Sequence, residues 1–483
     1  MAQVLMAKRC FRWYRLLVFA FAFLLVIYCI ATYHVDPDAN AVIPTAPPLQ
    51  AIVQTAKTCA PGFERLEGQC LFACSSNLST QVVTRSTQKG ISIDDTTFLE
   101  CSDRIPYRWP HTRDNIMSFR MFSPWKPKWP LAKRESGWSN ILTLVRTTNA
   151  RVLVGVEHTC NQTSNDIEWA TAKEFLRRLG PEHVMGVAIG NEMELLYRKA
   201  AEYTNPLCQR ELWAKGGFLS TFVDRVADLD RMPGFDQITV TSVFSSFALV
   251  GKVTPFLERP EAMVNTFLRA VFAKYGRRFA LTINFYPYFD VSLRPDEGTM
   301  GQQCWGVLKR TGCLDEHCQV PDKTWKARRK LFQLTGRSDH VLWIGETGWS
   351  YPQSSSLNTH LKDCVAWSSR RTFEDYYNRF LAWELAGADH AFYFSIRDSF
   401  QFDVSEHFGL IRTCSSTQCK LQQAPACHTA KDDEACHKHV VWAMQTGMRE
   451  HPEWYPELSV SSGFEAFQAL LHKRGHGDCP KPC

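Results

Sequence analysis

The sequence predicts an α/β chain built on a (β/α)8 TIM barrel, with an N-terminal membrane anchor and cysteine-rich flanking segments. Three observations predict the barrel. From about residue 105, strand-like and helix-like stretches alternate, and seven such units are visible over about 300 residues. Their strands are continuous apolar runs, the pattern of a parallel sheet covered by helices. No glycine-rich phosphate loop follows any strand, and that length suits a closed barrel with insertions better than an open doubly wound sheet.

The elements follow in order. "IMSFRMF", a short branched and aromatic run around Arg120, reads as the second strand. The helical "WSNILTLVRTT" leads into "ARVLVGVEH", and the helical "DIEWATAKEFLRRLG" leads into "EHVMGVAIGNE". Then come "FDQITVTSVFSS", "RRFALTINFYPYF", "DHVLWIGETGW" and "GADHAFYFSI", each preceded by helical spacing. The barrel is expected over residues 105–413. The cysteine-rich segment 59–104 is either a small stapled module or holds the first strand within "GQCLFACSS". Residues 414–483, with four close cysteines and amphipathic stretches, read as a helical, disulfide-bearing appendage.

Ahead of these lies an export signal. Lys8, Arg9, Arg12 and Arg15 precede the apolar run Leu16 to Tyr33, which nearly meets the roughly 20 residues that cross a bilayer. The positive flank favours a cytoplasmic N-terminus. Residues 1–33 therefore read as a tail and signal anchor, with a cleaved signal peptide as the alternative. The Pro- and Ala-rich stretch 34–58 reads as a tether. Of 18 cysteines, Cys10 and Cys29 fall in the tail and anchor, which leaves an even number on the exported side, as a disulfide framework requires. Zinc is the alternative for "CHTAKDDEACHKH", but paired CxxC units are missing. The sequons at Asn77 and Asn161 fit export, and Asn161, just past the third strand, is expected to border the cleft. The net charge is +6, and the four N-terminal basic residues supply most of it. The exported part is thus near neutral; the basic run "KARRK" at 326 to 330 reads as a solvated helix face, and no nucleic-acid partner is expected.

Two glutamates stand at corresponding places in this pattern. "GVAIGNE" ends on Asn191 and Glu192, and "HVLWIGETGWS" delivers Glu346 behind Gly345. Counting from "IMSFRMF" as the second strand, they close the fourth and seventh. Active-site groups of such barrels sit at the C-terminal ends of strands. Two carboxylates across the mouth suit glycosidic cleavage, one as acid/base and one as nucleophile. No metal or cofactor is needed for that chemistry.

The segments "IGNE", "INFYPYF", "IGETGWS" and "EHFGLI", in that order between about Asn115 and Ile411, resemble glycoside hydrolase family 17, the β-1,3-glucanases. The resemblance implies a retaining (β/α)8 enzyme with Glu192 as acid/base and Glu346 as nucleophile. It further implies that Asn191 contacts the sugar 2-hydroxyl, that Tyr286 orients Glu346, and that Arg120 lies on the floor near the nucleophile. Either donor beside Glu346 would favour its charged form. Tyr288, Phe289, Trp349 and Phe400 are candidates for stacking on glucose rings, with core packing as the alternative. The chain departs from the family in "SIRDSFQFD", where Ser399 replaces an acidic residue and the usual lysine is missing, and at Ser350, where proline is usual. The expected activity is β-1,3-glucan hydrolysis. A glucanosyltransferase with the same residues and a catalytically silent glucan-binding wall scaffold are the alternatives. Partners are the glucan and, through the anchor, a membrane.

Overall fold

The computed structural model describes residues 63–66, 69–72, 82–198, 206–249, 263–289, 300–354, 361, 364–399, 406–416, 419–421, 428–432, 434–476 and 479–482. The chain divides into Met1–Ala56 and Lys57–Cys483, and all of these residues belong to the second unit. Among them no helix is long and apolar enough to cross a membrane. The run Leu16 to Tyr33, the tether and the Asn77 sequon lie outside the described residues.

Eight parallel strands close a barrel: β3 (Lys89–Ile93), β4 (Ser118–Met121), β5 (Arg151–Val156), β6 (Val184–Asn191), β7 (Thr239–Ser245), β8 (Phe279–Asn284), β9 (Val341–Thr347) and β10 (His390–Tyr393), with β10 returning to pair with β3. The two earlier strands, β1 (Phe63–Leu66) and β2 (Gln69–Phe72), form a separate antiparallel hairpin. Within "GQCLFACSS", the described residues Gln69–Phe72 belong to the hairpin, and the first barrel strand is "KGISI", which begins at Lys89. That strand evades an apolar pattern because it carries only two branched apolar residues and opens on a lysine. Lys89 is nonetheless buried, its ammonium donating to the carbonyls of Thr84 (2.6 Å) and Leu381 (2.7 Å).

The strand residues alternate between two environments. Phe119, Val152, Val154, Val187 and Ile344 face the helical shell, which comprises α1 (Asp95–Cys101), α2 (Leu131–Thr148), α3 (Gln162–Leu179), α4 (Gly217–Asp230), α5 (Val264–Tyr275), α6 (Met300–Thr311), α7 (Gln319–Thr335) and α8 (Arg370–Ala382). The barrel interior is filled by Leu153, Met185, Ala188, Val243, Ala280, Trp343 and Phe392. Polar side chains also turn inward, paired with one another: Ser118 Oγ lies 2.8 Å from His390 Nε2, and Thr241 Oγ1 donates to Thr282 Oγ1 at 2.7 Å. Inward positions two residues further along β4 and β8 hold Arg120 and Asn284, so the polar layer rises to the mouth.

Disulfides tie the mouth and its flanks. Cys160–Cys208 joins the loops after β5 and β6, Cys101–Cys414 joins the end of α1 to the chain beyond β10, and Cys304–Cys364 and Cys313–Cys318 brace the α6 region. The C-terminal helices α9 (Ala435–Trp442) and α10 (Phe464–Arg474) close on a small core of Val440, Tyr455, Phe467 and Leu471, stapled by Cys436–Cys479. "KARRK" lies on α7, where Lys326 and Arg329 are exposed while Ala327 and Lys330 are buried.

Candidate active site

The fourth barrel strand ends in a kink. Its register against β7 slips between Ala188 and Asn191, and Gly190 has φ +80°. A Cβ at Gly190 would lie 2.8 Å from Met193 Cγ and 2.9 Å from Phe218 Cζ, so both the backbone angle and the space demand glycine. Glu192 itself sits at φ +51°, a conformation that costs a non-glycine residue roughly 1–3 kcal/mol. Its N–H still pairs with the Val243 carbonyl (2.7 Å), so the sheet holds the turn that leads the glutamate out of the strand.

The seventh strand delivers Glu346 by a similar slip. The register between β8 and β9 shifts between Ile283 and Asn284, so that Asn284 pairs with Glu346. Gly345 is required because a Cβ there would meet Asn284 Oδ1 at 2.6 Å and Arg120 Nη1 at 2.9 Å. Three donors then converge on the Glu346 carboxylate, which is 7% exposed. Oε1 accepts from Arg120 Nη1 (2.7 Å) and Asn284 Nδ2 (2.8 Å), and Oε2 accepts from the Tyr286 hydroxyl (2.6 Å). Burial and the charge of Glu346 push the Tyr286 phenol well above its ordinary range, which keeps it a donor.

Asn284 connects the two glutamates. Its Nδ2 also donates to Glu192 Oε1 at 3.0 Å, while its Oδ1 accepts from Arg120 Nη1 at 3.2 Å. Arg120, 2% exposed, completes the ring by donating through Nη2 to Asn191 Oδ1 at 2.9 Å. Oxygens held at 3.0 and 2.8 Å by one nitrogen are no farther apart than the sum of those distances, 5.8 Å. With one amide hydrogen for each, about 120° apart, the separation is about 5 Å.

Further carboxyls surround this pair. Glu406 pairs through its backbone with Ser399, and its carboxyl is pushed up to about 8 by burial and by the charges of Glu346, Glu192 and Asp94. Glu194, buried beside the kink and accepting from Ser245 N (2.5 Å), is raised to about 7 by burial and by Glu192. On the side of the first three strands, Lys126 bridges Asp95 (2.8 Å) and Glu157 (2.5 Å). Among the described residues no cluster of three or more His, Cys, Asp or Glu is placed to hold a metal ion.

The structure brings together Glu192, Glu346, Asn191, Arg120 and Tyr286, and it separates the aromatic candidates. Trp349 and Tyr288 are fully buried. Trp349 Nε1 donates to the Trp367 carbonyl (2.5 Å) and its ring packs on Tyr376, while the Tyr288 hydroxyl lies 2.8 Å from Ser368 Oγ and accepts from Ser354 N (3.0 Å). Neither presents a face to a sugar: the Trp349 ring turns to Tyr376 on α8, and the Tyr288 ring packs among Trp349, Trp367 and Phe408. Phe289 is half-buried against Tyr286 and Phe408, and Phe400 lies outside the described residues. Phe122 is half-buried, its ring centroid 4.5 Å from the Arg120 guanidinium carbon. Asn161 is exposed, capping α3 by accepting from Ser164 N (3.0 Å). Ser399 is buried in the wall and Ser350 Oγ donates to the Pro352 carbonyl (2.9 Å).

Sequence reading missed Asn284 and Glu406. Asn284 ends "LTIN" as Asn191 ends "AIGN", so the rule of polar residues at strand ends would have found it. Glu406 lies in a loop without periodicity, and only its place at the head of the quoted segment "EHFGLI" marks it.

No family model matches the chain, nor does any curated protein sequence. Among solved structures it is similar to an active-site mutant of the Rhizomucor miehei β-1,3-glucanosyltransferase in complex with laminaritriose, at 16% identity over 70% of this chain and 97% of that one, TM-score 0.37. It is similar to CJP38, a β-1,3-glucanase and pollen allergen of Cryptomeria japonica, at 17% identity over 69% and 98%, TM-score 0.47. A third is an endo-laminarinase from Formosa, at 18% identity over 68% and 84%, TM-score 0.43.

Proposed function

We propose that the chain is a retaining glycoside hydrolase acting on β-1,3-glucan, with Glu346 as nucleophile and Glu192 as acid/base. The observation that carries this reading is the shared amide of Asn284, which keeps the two carboxylate oxygens within 5.8 Å. Retaining enzymes need carboxyls about 5–5.5 Å apart, and inverting ones about 6.5–9.5 Å to admit a water between them. The β-1,3 linkage rests on the sequence resemblance, since the carboxylate spacing is shared by retaining glycosidases of other specificities.

In the first step a Glu346 oxygen attacks the anomeric carbon while Glu192 gives its proton to the departing glycosidic oxygen. In the second, Glu192 takes a proton from water, which attacks the same carbon and frees Glu346. Arg120, Asn284 and Tyr286 place the nucleophile and balance its charge before attack and on release. Asn191, held by Arg120, is set to meet the 2-hydroxyl of the sugar bound there. The N-terminal run Leu16 to Tyr33 is the proposed anchor, placing the barrel on the exported side of a membrane.

The test compares wild type with Glu346→Ala and Glu192→Gln on a β-1,3-glucan and a β-1,4-glucan, with the anomer of the first product read by NMR. Turnover of the first substrate only, giving the β-anomer and lost in both variants, is expected. Folded wild type that releases no sugar and forms no transfer product overturns the reading. Longer products at high oligosaccharide concentration would assign a transferase using the same pair.

A further inference from the structure

The wall beside the glutamates is fastened by an ammonium from outside the barrel strands. Lys420 follows Cys419, beyond the last strand, and is 3% exposed. Its Nζ donates to Asp398 Oδ1 (2.6 Å), the Tyr351 carbonyl (2.6 Å) and the His407 carbonyl (2.9 Å), which uses all three of its hydrogens. Tyr351 lies on the loop that follows Glu346, while Asp398 and His407 lie on the two limbs of the loop after β10.

The rest of that loop is organised around the same point. Asp398 Oδ1 also accepts from Gly409 N (2.9 Å), and its Oδ2 lies 3.3 Å from His407 Nδ1. Tyr351 N donates to the His407 carbonyl (2.9 Å), and Ser399 and Glu406 exchange backbone bonds at 3.1 and 3.2 Å. The segment so held brings two groups to the site. Phe408 packs edge-on against Tyr286, ring centroids 5.2 Å apart, and Tyr286 in turn holds Glu346. The Glu406 carboxyl feels the charges of Glu346, Glu192 and Asp94.

We infer that Lys420 is a positioning residue of the glycosidase site: through Asp398 and the His407 carbonyl it sets the Glu406–Phe408 segment against the two catalytic glutamates. This rests on the function proposed above. The charged groups facing Lys420 are Asp398 and Arg412, with His407 beside Asp398 and Arg370 on α8 donating to the Lys420 carbonyl (3.0 Å), and Phe373 packs below at 5.2 Å. Burial draws the ammonium down to about 8, so the anchor weakens in alkaline solution.

Replacing Lys420 alone would leave the buried Asp398 carboxylate uncompensated. The test is therefore the double variant Asp398→Asn with Lys420→Met, which removes both charges together. It should fold, with kcat lowered about tenfold or more and KM within about threefold. Its alkaline limb, which loss of the Glu192 proton sets, should move, because a displaced Glu406 no longer presents its carboxyl to Glu192. A purely structural pair would change the unfolding midpoint and leave that limb in place. Lys420→Arg, which keeps the charge but not the three converging hydrogens, should fold with the same kcat loss and serves if the double variant does not fold. Folded variants with wild-type kcat and an unmoved alkaline limb overturn the inference. If wild type itself proves inactive, the functional reading fails and hydrogen exchange decides on Lys420. The amides of Glu406, Gly409 and Leu410 should exchange faster in the folded variant while those of β6 and β9 do not, and unchanged exchange at all three overturns it.

Discussion

Replacing Asn284 with alanine is the most direct probe of the geometry. The substitution removes the amide that donates to Glu192 at 3.0 Å and to Glu346 at 2.8 Å. The bond to the Glu346 carboxylate, one to a charged group, is worth about 1.5–3 kcal/mol and the bond to protonated Glu192 about 1 kcal/mol, so losing both costs about 3 kcal/mol. At 1.36 kcal/mol per decade that is a fall in kcat of roughly 150-fold. Stability should fall by a similar amount, about 3 kcal/mol, because the same two bonds are lost from the folded state, and by no more than that, since Arg120 stays paired with Glu346 at 2.7 Å and with Asn191 at 2.9 Å and no buried charge is stranded. The assay is steady-state kinetics on β-1,3-linked oligosaccharides, with the folded fraction fixed by circular dichroism. A folded Asn284→Ala enzyme within about threefold of wild-type kcat would refute the claim that this amide sets the working distance.

Other outcomes test neighbouring parts of the argument. Gly345→Ala should lose activity and about 1–3 kcal/mol of stability, since its Cβ would press on Asn284 Oδ1 and Arg120 Nη1; wild-type kinetics would show that the site tolerates a shift there. Trp349→Ala should cost about 3–5 kcal/mol in denaturant unfolding, as for a core aromatic, and an intact protein with only a raised KM would return Trp349 to the sugar-stacking role. Glu194 is protonated more readily in the folded state than in the unfolded one, its carboxyl being raised to about 7. Between the unfolded value and about 7 the native state binds the extra proton, so this contribution is full below the unfolded carboxyl range and is lost as pH rises through 7. Glu194→Gln should therefore flatten the fall in unfolding midpoint from pH 5 to 8, and an unchanged slope would count against a buried, protonated Glu194.

The barrel was legible because its strands follow local rules. "ARVLVGVEH", "HVMGVAIGNE" and "HVLWIGETGW" are apolar runs bounded by helical spacing, and each forms a strand in the expected order. "KGISI" was not, because its first residue is a lysine satisfied by carbonyls from Thr84 and from Leu381, nearly 300 positions away. Trp349 and Tyr288 were misplaced for a related reason. Aromatic identity near a strand end says nothing about which way the ring turns, and here Trp349 turns to Tyr376 on α8 while Tyr288 is enclosed by Trp349, Trp367 and Phe408.

The sequence by itself determined that strands four and seven of a parallel barrel end in glutamates, because burial period, element length and the glycines before each glutamate are properties of short stretches of chain. Only the tertiary structure decided how far apart those glutamates stand and what holds them. The hydrogen bonds from Arg120 and Asn284 join residues 62 to 226 positions apart. Such bonds depend on register slips and barrel closure, and a local pattern carries no information about either.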